Sequence, residues 1–195
     1  HLRRRARLDC SPVTSIVIIG GGPAGYESAL VAANYGADVT VIDADGIGGA
    51  CVLWDCVPSK TFIASTGVRT EVRRAAALGI DLSDEHTEGS MHRVNKRVKD
   101  LAHAQSADIR TKLLEEGVRI IHGRGRLDDS RPGLSHRVRA IGADGTEETL
   151  VAEVVLICTG ASPRVLPGAE PDGERILNWR HLYDLEQAPE HLVVV

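Results

Sequence analysis

An α/β fold on a parallel sheet is what this sequence predicts, and three observations predict it. Two short β-branched runs, residues 14–19 and 38–43, flank a segment with the composition of a helix. A glycine cluster, Gly20-Gly-Gly-Pro-Ala-Gly25, joins the first run to that helix. A second strand-end glycine turn, Thr159-Gly160, follows the apolar run at residues 154–158. Strands buried on both faces read as continuous apolar runs, and open α/β sheets place ligands at the carboxyl ends of such strands.

Composition narrows the function classes. The 195 residues are 43% hydrophobic, enough for the core of one domain of ordinary size. Net charge is −4, and four arginines with one aspartate fall within residues 1–10, so the remainder is more acidic than the total. That balance argues against nucleic acid as the main partner, and residues 1–12 read as a disordered leader. No run approaches the roughly 20 apolar residues of a membrane span, and no apolar segment behind the opening arginines is long enough for a secretion signal. A cytoplasmic setting without membrane partners is expected. The four cysteines, Cys10, Cys51, Cys56 and Cys158, are too few for a disulfide scaffold.

In chain order, residues 14–19 form a buried strand and residues 26–35 a helix stopped by Gly36, after which residues 38–43 form a second strand ending in Asp43. This is a βαβ unit with G-x-G-x-x-G at its first turn, the dinucleotide fingerprint. Gly20 permits the tight turn, Gly22 lets backbone approach a pyrophosphate, and Gly25 lets helix pack closely on strand. The helix start, Pro23-Ala24-Gly25, turns free N–H groups and the positive end of its dipole to the phosphates. Asp43 stands where an acid can accept hydrogen bonds from a ribose.

Residues 46–60 then put Cys51 and Cys56 between a flexible turn, Gly48-Gly49-Ala50, and Pro58. A disulfide wants its Cα atoms roughly 4.4–6.8 Å apart, whereas positions i and i+5 of a straight helix differ by about 7.5 Å in rise alone. A bridge therefore needs an irregular first turn, which the glycines permit, with Pro58 at the opening of the next helix. The pair reads as an exposed, reducible redox disulfide; two free cysteines remain the alternative. A zinc site lacks the usual spacing and further ligands, and no metal set is expected. Lys60 lies one helical turn past Cys56, where its ammonium can face the same ligand.

The helix continues over residues 60–78, with Gly79 as its stop, and residues 81–90 form a polar loop. An amphipathic helix runs from Met91 to near Gly117, its charged residues facing solvent and His92 and His103 without a role. The period then shortens to strands at residues 118–122, 137–141, 149–152 and 154–158, with turns at residues 128–133 and 143–145. Cys158 closes the last of these as a core cysteine. Residues 161–173 form a proline- and glycine-rich connector, residues 180–185 a short helix, and residues 191–195 a strand.

These motifs, in this order and spacing, resemble the N-terminal FAD domain of the pyridine-nucleotide disulfide oxidoreductases, the group of dihydrolipoamide dehydrogenase, glutathione reductase and mercuric reductase. The resemblance covers residues 13–195 and rests on Gly20–Gly25, Asp43, Gly48-Gly49, Cys51-x₄-Cys56-Val-Pro-Ser-Lys60 and residues 156–163. It implies a Rossmann-type FAD-binding domain over residues 13–163, with an antiparallel β-meander inserted in the parallel sheet. The fingerprint would hold the FAD pyrophosphate and Asp43 the adenosine ribose. Gly125 would meet the adenine side through its backbone, and Thr159-Gly160 would make a further contact.

The resemblance further implies that Cys56 is the thiol nearest the flavin, Cys51 the interchange thiol and Lys60 the cation beside the flavin N5. Electrons would pass from NAD(P)H to FAD, then to the Cys51–Cys56 disulfide and a small dithiol or disulfide substrate, with the net direction reversed in dihydrolipoamide dehydrogenase. A homodimer is implied for the full-length protein.

Several features depart from the family pattern. Leu53-Trp54-Asp55 precedes Cys56 where the family has a small residue, and a carboxylate beside a thiolate opposes its charge. The wording around Cys56 is similar to flavoprotein NAD(P)H:quinone reductases, whose members need not use a disulfide. Asp43 stands where FAD members more often carry Glu. The family continues into a second glycine-fingerprint domain for NAD(P) and a dimer-interface domain with a His-Glu pair. Residues 164–195 therefore read as a connector and the first strand of that missing domain, and the chain as a fragment. Two rival readings are an FAD module without catalysis and an NAD-binding Rossmann protein with incidental cysteines.

Overall fold

The computed structural model describes residues 13–80, 90–129 and 135–195. The expected leader, residues 81–89 of the polar loop and residues 130–133 of the expected turn lie outside the described residues, as does Cys10.

A six-stranded sheet carries the fold, in the order β5-β4-β3-β2-β1-β6. β1 (Ser15–Ile19) lies between β2 (Asp38–Asp43) and β6 (Val154–Ile157), parallel to both. β3 (Arg119–Asp129) pairs parallel with β2 through His122 and then runs antiparallel to β4 (His136–Gly142), which pairs antiparallel with β5 (Glu147–Ala152). The expected parallel sheet with a β-meander is therefore present. One strand ends later than its sequence signals: residues 118–122 are only the first part of β3. The continuation, Gly123-Arg-Gly-Arg, lacks the apolar alternation that marks a strand, and its pairing with β4 makes it one.

Alternation along the strands builds two cores. Ile18, Val39 and Val41 face one way and bury Ala29 of α1 (Pro23–Asn34) and Leu113 of α4 (Met91–Glu115). Val17, Ile19 and Ile42 face the other way and pack on Val138 and Ala140 of β4 and Ala152 of β5. The meander thus covers the face that the helices leave open. Each fully buried Ile or Leu stabilises the fold by about 1.5–3 kcal/mol.

Helix ends follow local rules. Pro23 stands in the first turn of α1, where its missing N–H costs nothing. Ser90 caps α4 by accepting from the Arg93 N–H at 3.3 Å. The expected stops at Gly36, Gly79 and Gly117 all have left-handed φ, between 79° and 88°. Behind Gly117, the Val118 N–H reaches back to the Leu113 carbonyl at 2.9 Å and both side chains are buried.

Three expectations need correction. The second helix opens at Cys56, not at Pro58: α3 (Cys56–Arg74) follows the short α2 (Gly49–Leu53), because the Asp55 carbonyl already accepts from the Ser59 N–H at 2.9 Å. Beyond α3 the chain tightens into a 3₁₀ turn, Ala75–Leu78. The short helix at residues 180–185 is a single 3₁₀ turn, His181–Asp184. Residues 191–195 form no strand, and Val193, Val194 and Val195 are exposed. A run of valines becomes a strand only when another strand supplies the ladder.

Candidate functional site

The glycine fingerprint splits into two roles. A Cβ on Gly25 would collide with the Gly20 carbonyl oxygen, and one on Gly20 with the Cys158 carbonyl oxygen. These two glycines let α1, β1 and the end of β6 close on one another. A Cβ on Gly22 would find nothing nearer than the Gly49 Cα, 3.9 Å away. The packing of the protein does not require Gly22, so its missing side chain leaves space at the start of α1. No side chain caps that helix start, so the Ala24 and Gly25 N–H groups there are free of any capping oxygen.

Asp43 does more than its position in the sequence suggests. Its Oδ2 accepts from the Gly21 N–H at 2.6 Å, and its Oδ1 from the N–H groups of Asp45 (3.0 Å) and Gly46 (2.5 Å). It therefore ties the fingerprint turn to the β2–α2 loop. A carboxylate has about four acceptor positions, so three internal bonds leave room for one ribose hydroxyl. The same loop is pinned twice more. The Gly48 N–H donates to the Gly21 carbonyl at 2.8 Å, and the Ser106 hydroxyl of α4 donates to the Ile47 carbonyl at 2.5 Å.

Gly20, Asp43, Gly125 and Thr159 meet on the wall of one cavity of about 600 Å³ at the carboxyl ends of β1 and β2. Arg124 and Arg126 join them from β3. A Cβ on Gly125 would press on Ile19 and Ile42 at 3.0–3.3 Å, so β3 crosses close over the sheet here. Gly160, φ 66°, turns the chain away just after Thr159 and does not line the cavity. The cavity is within the usual size of a cofactor site, and an adenosine with its ribose at Asp43 and its phosphates at Gly22 fits the donors present.

The cysteines sit beyond the other end of that path. Gly48 and Gly49 both have left-handed φ, and Gly49 lies so close to Gly22 that a Cβ on it would be 2.7 Å from the Gly22 Cα. Cys51 follows in α2, half-buried, and Cys56 opens α3, exposed. Both are free thiols. Between them the helix breaks at Trp54 and Asp55, whose N–H groups both donate to the Ala50 carbonyl, at 2.8 and 2.7 Å. The irregular turn required by the spacing is this shared acceptor, and it leaves the Cys51 thiol within the influence of Cys56.

Hydrogen bonding toward Cys56 first, then burial and the fields of Cys56 and Asp55, push the Cys51 thiol up, while the Lys60 ammonium pulls it down. The charge of Lys60 thus reaches Cys51. Burial first, then Glu27 and Cys51, push the Tyr26 hydroxyl up. The first residue after the fingerprint therefore lies within the field of Cys51.

Sequence reasoning missed the residues that brace the dithiol link. The chain has two tryptophans, and both stack on Arg180: its guanidinium lies 5.0 Å from the Trp54 ring centre and 5.3 Å from that of Trp179. Buried Asn95 of α4 donates to the Leu185 carbonyl at 2.8 Å and the Leu182 carbonyl at 3.4 Å, holding the 3₁₀ turn against the helix. The only advance signal was the departure of Leu53-Trp54-Asp55 from the family's wording before Cys56.

The chain has relatives among known proteins. The pyridine nucleotide-disulphide oxidoreductase family matches residues 14–195. A protein from Mycobacterium tuberculosis (strain H37Rv), named NAD(P)H dehydrogenase (quinone), is 62% identical over 187 residues, 94% of this chain and 38% of its own length. A dihydrolipoyl dehydrogenase from Chlorobaculum parvum is 32% identical, over 92% of this chain and 37% of its own. The crystal structure of LpdA from Mycobacterium tuberculosis superimposes with a TM-score of 0.85 at 61% identity, over 92% of this chain and 39% of that one. The chain thus spans a little over a third of the length of these relatives. A match that starts at the edge of β1 and runs through both glycine turns and the dithiol link to Val195 makes the chain a member of the pyridine nucleotide-disulphide oxidoreductase family.

Proposed function

We propose that this chain is the FAD-binding part of a flavoenzyme that draws electrons from NAD(P)H and passes them through Cys51 and Cys56 to a small-molecule acceptor. One juxtaposition carries the reading: Gly49 touches Gly22 at the start of α1, and Cys51 stands two residues further on. A dinucleotide with its adenosine end at Asp43 and its phosphates at Gly22 is thereby directed toward the thiols. When bound, FAD supplies the acceptor for hydride and the donor of electrons to a disulfide.

The rest is done by residues of this chain. The Ala24 and Gly25 N–H groups and the dipole of α1 bind the phosphates. Asp43 orients the ribose while it holds Gly21 and Gly46 in place. Lys60 favours the thiolate at Cys51, and Asp55 opposes it. Cys56, the exposed thiol, would be the one to face the flavin, and Cys51 would exchange with the substrate. A cytoplasmic homodimer is the setting this reading assigns to the whole protein. Among the described residues no helix is long and apolar enough to cross a membrane.

A second reading is favoured by the relative at 62% identity, which is named for quinone rather than for a disulfide. In it, electrons go from the flavin to a quinone and the thiols take no part. Anaerobic titration of the full-length protein with NADH separates the two. If wild type develops a long-wavelength absorption band that Cys56→Ser abolishes, the thiol reading stands. If the flavin bleaches without that band, and quinone reduction survives both Cys51→Ser and Cys56→Ser, the quinone reading replaces it. A protein purified without flavin, and unable to take it up, overturns both.

A further inference from the structure

The link that joins the two cysteine helices is held from outside by one side chain. Trp54 follows the last residue of α2, and Asp55 precedes Cys56. The Trp54 indole N–H is buried and has no acceptor among the described residues, so the ring has no hydrogen bond to fix it. Its named partner is the Arg180 guanidinium, 5.0 Å from the ring centre. Arg180 is fixed in turn by Trp179, 5.3 Å away on the same segment, and by Asp45, whose Oδ2 is 3.9 Å from its Nη2.

Those contacts join three parts of the chain: the dithiol link, the β2–α2 loop and the segment around residues 178–185. That last segment is itself secured to α4. Asn95 grips the carbonyls of Leu182 and Leu185, and Lys99 pairs with Asp184 at 2.5 Å. Asp184 belongs to the 3₁₀ turn whose Tyr183 is buried and pushed up by burial and then by the charge of Asp55. The segment therefore meets the link at Trp54 through Arg180, and its Tyr183 lies within the field of Asp55.

We propose that Arg180 is a positioning residue for the dithiol: by stacking on Trp54 it keeps the α2–α3 break in the conformation that holds Cys51 against Cys56. The proposal rests on the reading of the two cysteines as a redox pair. A regular helix would separate the two positions by about 7.5 Å in rise, too far for a bridge. The break removes that separation, and whatever stabilises the break raises the effective concentration of one thiol at the other. Arg is suited to the task because its flat cation stacks on two rings at once. The Arg180 Nε, also buried and without an acceptor among the described residues, leaves stacking and the Asp45 contact as its hold.

The test is the dithiol–disulfide equilibrium of the purified protein against mixtures of reduced and oxidised dithiothreitol. When the pair closes, the ring S–S bond of oxidised dithiothreitol breaks and the Cys51–Cys56 bond forms. Two electrons and two protons pass to the reagent. Alkylation and peptide mass spectrometry count the two states. Arg180→Ala is expected to lower the equilibrium constant for closure about tenfold, a shift of about 30 mV toward easier reduction. Trp54→Ala should do the same, and the double variant should add little to either, because both remove one contact. Trp54→Phe should stay near wild type, since the lost indole N–H was unpaired, and Arg180→Lys should fall between. Lys99→Ala, on α4 and away from the link, should leave the equilibrium unchanged while lowering thermal stability slightly.

If wild type closes the bridge and Arg180→Ala closes it equally well, or if the two alanine variants add fully, Arg180 does not position the pair and the proposal is overturned alone. If wild type never closes the bridge at any reagent ratio, the redox reading of the cysteines fails and takes this proposal with it.

Discussion

The Cys51 thiol is pushed up by hydrogen bonding of its S–H toward Cys56, by burial and by the charges of Cys56 and Asp55, and is drawn down by Lys60. Each influence can be removed singly. In the reduced protein, Asp55→Asn should move the pH profile of Cys51 alkylation to lower pH and Lys60→Met to higher pH, with Cys56→Ala giving the largest downward move. An unmoved profile in Asp55→Asn would show that the carboxylate does not reach the thiol. The sign for stability follows from the same shift. The folded state keeps the Cys51 proton above the usual thiol pKa of about 8.5, so the neutral thiol stabilises the fold below that pH. This contribution is lost as pH rises through the folded value, and Cys51→Ser should flatten the decline in urea midpoint.

At the scale of the element, the strand–turn–helix at residues 15–34 separates glycines that the fold needs from one that a ligand needs. Gly25→Ala drives a methyl into the Gly20 carbonyl, and forcing α1 away from β1 should cost about 3 kcal/mol. Gly22→Ala meets nothing nearer than the Gly49 Cα at 3.9 Å, and its φ of −69° suits alanine. It should change stability by no more than about 0.5 kcal/mol. Flavin content tells the two apart: Gly22→Ala should fold with an unchanged urea midpoint and lose flavin. Full flavin retention in that variant would mean that the phosphates do not pass there. All of these glycines stand in the G-x-G-x-x-G pattern, but their division of labour became visible only once the atoms around each were placed.

For the whole molecule, the question is what holds the meander over the parallel strands. Besides the apolar contacts of Val138, Ala140 and Ala152, a bidentate pair spans the sheet. Arg119 at the start of β3 meets Glu148 of β5 at 2.7 and 2.6 Å, although β4 lies between these strands in the order. The Arg119 guanidinium holds the Glu148 carboxyl below the usual range, and Glu148 raises Arg119 further. A depressed carboxyl stabilises the fold above its ordinary pKa and ceases to do so as pH falls through its folded value. Glu148→Gln should therefore lose urea resistance near neutral pH and converge on wild type once the pH has fallen below the folded value of the carboxyl. Both side chains are about half exposed, so high salt should shrink the difference. A constant gap across that pH range would assign the effect to packing rather than to charge.

The sequence by itself determined the βαβ unit, the parallel sheet with its meander, the glycine stops and the place of the dithiol. Each of these is written in local terms: apolar period, turn residues, and glycines where side chains cannot fit. It also located Asp43, Lys60 and the need for a broken helix between Cys51 and Cys56. Tertiary structure alone decided the rest. Gly123-Arg-Gly-Arg is a strand because β4 pairs with it, and residues 191–195 are not one because nothing does. Asp43 holds Gly21 and Gly46 because β2 ends beside the fingerprint. Trp54 and Trp179 share Arg180 because a segment more than a hundred residues downstream packs back on the dithiol link. Contacts between residues far apart in sequence leave no periodic trace, since nothing in the spacing of either partner records the other.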